Sequence, residues 1–386
     1  MNFRHIIGIY IFTVCSILFV LPYSANAQAR RCSAQSLVEQ RFPTNPQQPE
    51  ETRWSLCLEQ HSRNGLVIKD AWFRRSPDTQ WIQVFYDARV AELFVPYDSG
   101  YPRFLDMTNH TSPFSLTRKH CPSTSVQRNI LAVNRVNICR ETRDRGLAWT
   151  NDGDARLGEE MVLWGILDAA NYNYIIEWTF RDDGVVQGRV GATAQNLIWK
   201  AREGHMHGVH WRLDIDLNGF TGDSVYINSL IPSGSRINNN MQLVNAESDR
   251  VWDPLAFTSL HIQDNNLKNK NDKISGYHLM PLRAGTARHP EAFTQKDFWI
   301  TKYNYSEMYP TSLPNYIIPA DPVSNSDIVV WYYNAMHHQP RDEDGFYLNT
   351  VFNPLVAHLM WNGFILKPHN LFDRTPLCKL VGGKCQ

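Results

Sequence analysis

Residues 174–180 read Tyr-Ile-Ile-Glu-Trp-Thr-Phe, and residues 209–216 read Val-His-Trp-Arg-Leu-Asp-Ile-Asp. Both runs are short and rich in β-branched and aromatic residues, which favour strands. Similar runs occur at 81–86 and 327–333, and turn-forming Asp, Asn and Gly follow several of them. Because no long 3.6-residue periodicity accompanies these runs, the sequence predicts an all-β protein, built as a large antiparallel β-sandwich.

The first residues are typical of an export signal. Arg4 and His5 precede an apolar run at 6–21, and small residues follow at 25–27. The run is shorter than a bilayer-spanning helix usually requires. We therefore expect residues 1–27 to be a signal peptide, and the protein to be secreted or periplasmic without a membrane anchor.

The rest of the chain is interpreted as one domain preceded by a short segment. Residues 28–53 are rich in Pro, Gln and Glu and are expected to form an extended lead-in. Nothing forces a boundary in residues 54–386, which are therefore predicted to be a single domain, although a chain of this length also suits two. The polar run at 262–275 is expected to be a long exposed loop.

The composition bears on partners and on the redox compartment. The chain carries 38 basic and 38 acidic residues, so its net charge implies no attraction to nucleic acid or to anionic membranes. Seven cysteines occur, and six remain when Cys15 is removed with the signal. An even number in an exported chain suggests disulfides, and pairing between sequence neighbours is the simplest of several connectivities. The neighbouring pairs are Cys32 with Cys57, Cys121 with Cys139, and Cys378 with Cys385.

Histidines suggest a metal site. His205 and His207 stand at alternate positions at the head of a strand-like run, so both imidazoles can reach one ion. A third imidazole is available from His337 or His338, at the end of another such run. Three neutral imidazoles and water suit Cu(II) or Zn(II). In a chain with 14 histidines, however, this spacing also arises readily by chance.

Three further features are weak when each is taken alone. Asp214 and Asp216 share a strand face and could hold a hard cation such as calcium, but the spacing fits a solvated face equally well. Asp106 follows an aromatic–aliphatic pair; burial would raise its pKa and make it a base near neutral pH, whereas a lone loop aspartate is more often a turn residue. Tyr172, in a strand, is by itself an ordinary packing residue.

Read together and in order, these features resemble the catalytic domain of the copper amine oxidases. That family converts the tyrosine of an Asn-Tyr-Asp/Glu motif to topaquinone, and residues 171–173 read Asn-Tyr-Asn. Its His-x-His pair with a downstream Arg-Leu-Asp-x-Asp matches residues 205–216, and its His-x-Pro-Arg-x-Glu-Asp stretch matches residues 338–344. Val-Pro-Tyr at 95–97 also matches, and the resemblance extends from about residue 54 to residue 376.

The resemblance implies a set of site residues. Tyr172 would be the source of topaquinone and Asp106 the catalytic base, while Tyr97 and Asn171 would hold the quinone ring. The implied copper ligands are His205, His207 and His338, with His337 a bystander. The implied ligands of a second cation, expected to be calcium, are Asp214, the Ile215 carbonyl, Asp216, Asp327 and the Ile328 carbonyl. The family also implies a disulfide between Cys121 and Cys139.

The resemblance also implies a reaction: oxidation of a small primary amine by O2 to an aldehyde, ammonia and hydrogen peroxide, in a homodimer. Asp106 would take a proton from the α-carbon of the amine while the quinone accepts the electrons. Two positions depart from the family motif. Asp168 replaces a Ser or Thr, and Asn173 replaces the acid after the quinone tyrosine.

These departures leave other functions open. A secreted copper-binding or partner-binding module could have kept the fold and lost the quinone. A zinc hydrolase built on the three histidines is a third interpretation, although no obvious motif supplies it with a glutamate. The chemical state of Tyr172 separates the first two functions, and peroxide release from amines tests the third.

Overall fold

The computed structural model describes most of the chain after its N-terminal segment. The described residues are 32–33, 36–76, 78, 80–122, 127–151, 153–282, 288–342, 344, 346–347, 357–378, 380–381 and 384–385. The expected signal peptide, residues 1–27, therefore lies outside the described residues. Among the described residues, no helix has the length and apolar character needed to cross a bilayer.

Strands dominate the structure. The first twelve are β1 (Leu37–Phe42), β2 (Thr52–His61), β3 (Gly65–Arg75), β4 (Ile82–Pro96), β5 (Arg103–Leu105), β6 (Ser112–Phe114), β7 (Gln127–Val133), β8 (Val136–Asn151), β9 (Asp154–Ala169), β10 (Tyr172–Arg181), β11 (Val186–Ala194) and β12 (Asn196–Leu197). The next twelve are β13 (His205–Asp214), β14 (Asp223–Ser233), β15 (Arg236–Leu243), β16 (Ser248–Arg250), β17 (Ser259–Lys268), β18 (Ile274–Pro281), β19 (Phe298–Lys302), β20 (Ile328–His338), β21 (Phe346–Tyr347), β22 (Ala357–His369), β23 (Leu380–Val381) and β24 (Lys384–Cys385).

Helices among the described residues are short. The α-helices are α1 (Asp106–Asn109) and α2 (Leu313–Tyr316). Single 3₁₀ turns occur at Ile198–Lys200, Ala292–Thr294 and Pro310–Ser312. The prediction of an all-β protein is therefore confirmed.

Two large sheets contain most of the strands. One has nine strands in the order β1-β2-β3-β4-β13-β20-β19-β16, with β5 paired to β4. The other has eleven strands in the order β15-β14-β17-β18-β22-β11-β10-β9-β8-β7, with β6 paired to β9. Neighbouring strands within both sheets are antiparallel, for example β13 with β20 and β9 with β10. The predicted antiparallel sandwich is confirmed.

Aromatic side chains join the inner faces of the two sheets. Trp178 on β10 of the eleven-stranded sheet is fully buried, and its ring centroid lies 5.3 Å from that of Trp211 on β13 of the nine-stranded sheet. Phe85 on β4 and Phe364 on β22 approach the same indole at 6.2 and 6.1 Å. Because these rings come from strands far apart in sequence, they hold the sheets face to face.

Trp178 is therefore expected to be a large contributor to stability. We predict that Trp178→Ala lowers the free energy of unfolding by about 3–5 kcal/mol, since the truncation leaves a cavity between the sheets. Urea unfolding followed by circular dichroism measures the change. Trp199→Ala is the control, because that indole is 56% exposed and its loss is expected to change stability little. Equal effects of the two substitutions would contradict the prediction.

The structure changes two details of the sequence-based interpretation. Residues 37–42 of the expected lead-in form β1, which pairs with β2 and completes one edge of the nine-stranded sheet. The expectation of a long exposed loop at 262–275 was wrong. Residues 262–268 continue β17 to Lys268 and residues 274–275 begin β18, and Ile262 and Leu267 are buried in the core of the sandwich.

Two of the expected disulfides are present. Cys32 is bonded to Cys57, with their Cα atoms 5.8 Å apart, and Cys121 is bonded to Cys139, with a Cα separation of 5.7 Å. Cys378 is also disulfide-bonded. The side chain of its expected partner, Cys385, lies outside the described part of the chain.

Candidate metal centre

The strand register brings three histidines together. β13 and β20 are neighbours, and His205 lies directly opposite His338 in their ladder. His207 lies two residues further along β13, so its side chain projects from the same face as that of His205. The three side chains are buried, and their donor nitrogens lie within 4.8 Å of one another. His337 is exposed instead, and its Nε2 lies 3.1 Å from Asp98 Oδ2.

Each imidazole has one nitrogen held by a neighbouring oxygen. The pairs are His205 Nδ1 with the Glu203 carbonyl oxygen (3.2 Å), His207 Nδ1 with the Tyr174 hydroxyl (3.0 Å) and His338 Nε2 with Asp344 Oδ2 (2.9 Å). The carbonyl and the carboxylate can only accept, so the facing nitrogens of His205 and His338 carry the proton. The Tyr174 hydroxyl donates to a carboxylate, Asp106 Oδ2, and therefore accepts from His207.

The opposite nitrogens are left with lone pairs that face a common point. The Tyr172 hydroxyl lies 2.7 Å from His338 Nδ1 and 3.2 Å from His205 Nε2, and it donates to Asn196 Oδ1 at 2.8 Å. His207 Nε2 is buried and has no hydrogen-bond partner. A buried imidazole nitrogen without a partner is costly unless something binds it. The donor set therefore fits a transition-metal ion, and the oriented second nitrogens are the usual outer support of such a site.

Burial keeps these imidazoles in the form that binds metals. It lowers the pKa of His205 to about 4 and the pKa of His207 well below its ordinary value, and the other histidines of the cluster add to the effect. Burial also lowers the pKa of His338, although Asp344 opposes the shift. All three rings are therefore neutral near pH 7, as metal binding requires.

Asp344 orients His338. Burial alone would raise the pKa of this carboxyl, but hydrogen bonds from Arg341 and His338 lower it to about 2. The Arg341 guanidinium donates to Asp344 Oδ1 at 2.7 Å, and Oδ2 accepts from both the His338 imidazole and the Arg341 backbone N–H, each at 2.9 Å. The carboxylate is thus ionised, and it fixes both the tautomer and the direction of the His338 ring.

Asp106 lies on the other side of Tyr174 from the histidines. It begins α1, is 7% exposed, and accepts a hydrogen bond of 2.6 Å from the Tyr174 hydroxyl. Burial raises the pKa of Asp106 to about 7; the Tyr174 hydrogen bond lowers it in part, and Glu92 raises it. Glu92 on β4 also fixes this turn, because its Oε1 accepts the Met107 N–H at 2.8 Å. A buried carboxyl with this pKa can accept a proton near neutral pH.

Tyr97 contacts one of the three histidines, and Asn171 directly precedes Tyr172 in the chain. The Tyr97 ring stacks on His205, with centroids 4.5 Å apart, and burial raises its pKa. The Asn171 side chain donates to the Gln195 carbonyl at 2.8 Å, and the Gln195 N–H donates back to the Asn171 carbonyl at 2.9 Å. Asn171 thereby fixes the turn from which β10 and Tyr172 begin.

The expected second-cation residues are also brought together. Carboxylate oxygens of Asp214, Asp216 and Asp327 lie within 4.8 Å of one another. Burial raises the pKa of Asp214 well above its ordinary value and that of Asp327 to about 6, although Arg212 opposes both shifts. The remaining two expected residues, Ile215 and Ile328, are fully buried beside them in sequence. A bound cation would relieve the repulsion between these carboxylates.

Several residues of the two clusters were not identified from the sequence. Tyr174 lies two positions after Tyr172, so strand alternation could have placed it on the same face. Asp344 belongs to the matched stretch 338–344 and could have been found there. Asn196 and Glu92 carry no recognisable signal. Asp223 was missed as well; burial and nearby carboxylates raise its pKa beside the second cluster.

The sequence matches a family model over more than half of the chain. The model describes the enzyme domain of copper amine oxidase, and it matches residues 147–385. The copper-containing amine oxidase gamma 1 of Arabidopsis thaliana is 25% identical, over 84% of this chain and 56% of that protein. The primary amine oxidase of Klebsiella aerogenes is 23% identical, over 84% of this chain and 52% of that protein. The chain thus spans about half the length of these relatives.

Solved structures have the same fold. A copper-containing benzylamine oxidase from Hansenula polymorpha superimposes with a TM-score of 0.67 at 20% identity, over 84% of this chain and 59% of that one. The amine oxidase of Aspergillus nidulans gives a TM-score of 0.62 at 19% identity, over 89% of this chain and 57% of that one. Together with the match to the enzyme-domain model, this places the chain in the copper amine oxidase family.

Proposed function

We propose that the protein is a copper-dependent oxidase of primary amines. It converts an amine, O2 and water to an aldehyde, ammonia and hydrogen peroxide. The two electrons removed from the carbon that bears the amine reduce O2 to the peroxide. The redox group is a topaquinone derived from Tyr172, and copper is bound by His205, His207 and His338.

The observation that carries the proposal is the position of the Tyr172 hydroxyl. This oxygen lies within 3.2 Å of inward-facing nitrogens of His205 and His338, in a buried site with an unpartnered His207 Nε2. Burial, with smaller effects of Tyr97, Asp344 and Asp106, raises the pKa of Tyr172 well above its ordinary value. Nearby positive charge favours the ionised form of a phenol. The phenol is therefore placed where a bound cupric ion would act on it.

The chain supplies the acid–base chemistry. When present, copper would allow O2 to oxidise Tyr172 to the quinone, and the quinone would be the sink for the substrate electrons. Asp106 is the base that takes the α-proton of the amine, because it is buried, titrates near pH 7 and lies one tyrosine away from the histidines. Tyr174 positions Asp106 through its hydrogen bond, and Tyr97 stacks on the His205 ring.

The two departures from the family motif lie away from the phenol oxygen. Tyr172 and Tyr174 are buried, whereas the alternate residue Asn173 is only partly buried and projects from the opposite face of β10. Asp168 is the direct neighbour of Asn173 in the β9–β10 ladder. An amide and a carboxylate therefore occupy this cross-strand pair, in which the family has a hydroxyl and a carboxylate. This placement supports a Tyr172 that can still be converted.

Three further features belong to the proposed enzyme: a calcium ion, export from the cell and formation of a dimer. Calcium occupies the cluster of Asp214, Asp216 and Asp327, with carbonyl oxygens of Ile215 and Ile328. The protein is exported, which the disulfides of Cys32 and Cys121 support, since such bonds persist in oxidising compartments. It acts as a homodimer on small amines.

The chemical state of Tyr172 tests the proposal. Protein purified without metal is loaded with copper in air, and the peptide that contains Tyr172 is analysed by mass spectrometry. We expect this peptide to gain two oxygen atoms and lose two hydrogen atoms. Zinc-loaded protein is the control and is expected to keep an unmodified tyrosine, since zinc has no redox chemistry. An unmodified peptide in fully copper-loaded protein would overturn the proposal.

The same measurement decides on a second candidate function, a copper-binding module without a quinone. Asn173 favours this candidate, because it replaces the acid of the family motif. Full copper occupancy together with an unmodified Tyr172 and no peroxide from amines is the result expected of such a module.

Tyr174→Phe is expected to shift the pH dependence of amine oxidation. Asp106 must be ionised to accept a proton, so activity falls as the pH drops through about 7. The Tyr174 hydrogen bond lowers the pKa of Asp106, and its removal raises that pKa further. The acid limb of the kcat/KM profile should therefore move up by about 1 pH unit.

The control for this shift is another buried tyrosine. Tyr277→Phe removes a hydroxyl that donates to the Gly184 carbonyl at 3.1 Å, and it should leave the profile unchanged. The copper content of both variants is measured as well, since Tyr174 also supports His207. An unchanged or lowered acid limb at full copper occupancy would contradict the role of Tyr174.

A further inference from the structure

A second group of three histidines lies in the eleven-stranded sheet. His261 on β17 is directly opposite His278 on β18, and His369 ends the next strand, β22. His369 pairs with Gly276, so it is the diagonal neighbour of His278 across the β18–β22 ladder. The three histidines are 17 residues and more apart in sequence, and only the strand order brings them together.

This histidine group faces away from the sandwich core. Its sequence neighbours Ile262 and Tyr277 are core residues with no exposed surface, and strand alternation directs His261 and His278 to the other face. His261 is nevertheless only 1% exposed, whereas His278 is half-buried. One ligand candidate is thus buried while solvent can still reach the group.

The rings are arranged around one another. The ring centroid of His261 lies 4.5 Å from that of His278 and 4.8 Å from that of His369. The centroids of His278 and His369 are 4.7 Å apart. One donor nitrogen of each residue lies within 4.8 Å of the other two. The rings of His278 and His369 are parallel within 8°, so both must tilt toward a common point before their in-plane lone pairs can bind one zinc ion at about 2.0–2.1 Å.

A chain of hydrogen bonds sets the tautomer of His261. Its Nε2 lies 3.0 Å from Gln263 Oε1, an acceptor, and therefore carries the proton. The Gln263 amide is oriented in turn, because its nitrogen donates to Asn265 Oδ1 at 2.7 Å. The Asn265 amide donates to Asn325 Oδ1 at 2.5 Å. His261 Nδ1 is left with a lone pair, and it is buried with no hydrogen-bond partner.

A second nitrogen in the group is unpartnered in the same way. His278 Nε2 is buried without a hydrogen-bond partner. Burial lowers the pKa of His261 and of His278 to about 4, and the neighbouring imidazoles add to both shifts. The rings are therefore neutral near pH 7. Two buried nitrogens thus have lone pairs without a hydrogen-bond donor, and a third imidazole lies beside them. A metal ion bound to these nitrogens would remove the cost of leaving them unpartnered.

We propose that His261, His278 and His369 bind a second transition-metal ion, of the zinc class, on the outer face of the eleven-stranded sheet. Three imidazoles and one water complete the tetrahedral coordination that zinc prefers. The ion links β17, β18 and β22, and Gln263 holds the first ligand as an outer-shell partner. This site is independent of the proposed oxidase activity, because it uses none of the residues around Tyr172.

The number of metal ions bound per chain tests the proposed site. Purified, untagged, full-length protein with its copper is equilibrated with zinc chloride in excess calcium chloride, so that calcium fills the carboxylate cluster of Asp214, Asp216 and Asp327. After desalting, copper plus zinc per chain is measured by mass spectrometry of the elements. The sum is used because zinc and copper can exchange between imidazole sites. We expect two ions in the unsubstituted protein and one in His369→Gln. His120→Gln, which changes an exposed histidine elsewhere, is expected to keep two.

Two further variants separate this site from the first histidine group. His338→Ala is expected to keep one ion, and the double variant His338→Ala/His369→Gln none. Gln263→Ala should weaken zinc binding about 10- to 100-fold, as removal of an outer-shell partner usually does. One ion in the unsubstituted protein, or two in a folded His369→Gln variant, would overturn the second site. Two ions in His338→Ala would instead count against the first group.

Discussion

Asp106→Asn is expected to lower kcat/KM for primary amines by about 100- to 10,000-fold, the range that a positioned general base contributes. Asparagine keeps the shape of the side chain and can still accept a hydrogen bond from the Tyr174 hydroxyl, but it cannot take a proton from the substrate. Peroxide release under air measures the loss. The Tyr172 peptide is analysed in the same preparation, so that a failure to form the quinone is distinguished from a failure of proton transfer.

Asp98→Asn is the matched control for Asp106→Asn. Asp98 is a half-exposed carboxylate beside the centre and contacts His337. Its substitution is expected to leave kcat/KM within about twofold of the unsubstituted enzyme, because a surface contact of this kind contributes little. A fully active Asp106→Asn enzyme that contains the quinone would refute the assignment of Asp106 as the base.

Stability gives an independent measurement on the same variant. The pKa of Asp106 is raised from 3.8 to about 7 by burial, so the folded state holds its proton over that interval while the unfolded state releases it. The stabilising contribution of Asp106 to the free energy of unfolding is therefore fully present below about pH 4. It is lost as the pH rises to about 7. Asparagine does not titrate. Asp106→Asn should consequently gain thermal stability relative to the unsubstituted protein between pH 4 and pH 8.

His338→Ala is expected to lower copper affinity by more than about 100-fold and to leave Tyr172 unmodified. Loss of one of three ligands removes an entire coordinate bond, whereas loss of an outer-shell partner costs about 10- to 100-fold. Asp344→Asn should therefore show the smaller decrease, since it weakens only the orientation of His338. Copper affinity is measured by competition with a chelator, and Tyr172 by peptide mass.

His337→Ala provides a control at the adjacent position. The His337 side chain is exposed and contacts Asp98 rather than the histidine group. The His337→Ala variant is expected to keep full copper affinity and a modified Tyr172. Equal losses in His337→Ala and His338→Ala would indicate a general effect on β20 and would contradict the ligand assignment.

The fold class could be predicted because it depends on local patterns. Runs such as 174–180 are short and rich in β-branched and aromatic residues, and the structure shows β10 there. The interpretation was wrong at 262–275, where polar residues were expected to form a loop. β17 and β18 extend into this segment because hydrophobic residues on one face pack on the core, and such packing is not visible in composition.

The candidate site was only partly predictable for a related reason. The pair His205 and His207 is local, so strand alternation alone places both imidazoles on one face. Asn196 and Glu92, in contrast, support Tyr172 and the Asp106 turn from distant parts of the chain. No spacing rule relates such residues, because their contacts are made by the order of strands within the sheets.

The amino-acid sequence by itself determined the strand-forming runs and the order of motifs that resembles the copper amine oxidases, whereas it left the pairing of the cysteines open. Only the tertiary structure determined which donor atoms lie close together. The register of β13 against β20 places His205 opposite His338, and the packing of the two sheets brings the Tyr172 hydroxyl to them. The group formed by His261, His278 and His369 likewise depends on strand order. Side chains distant in sequence become neighbours only when backbone hydrogen bonding and burial fix the sheets.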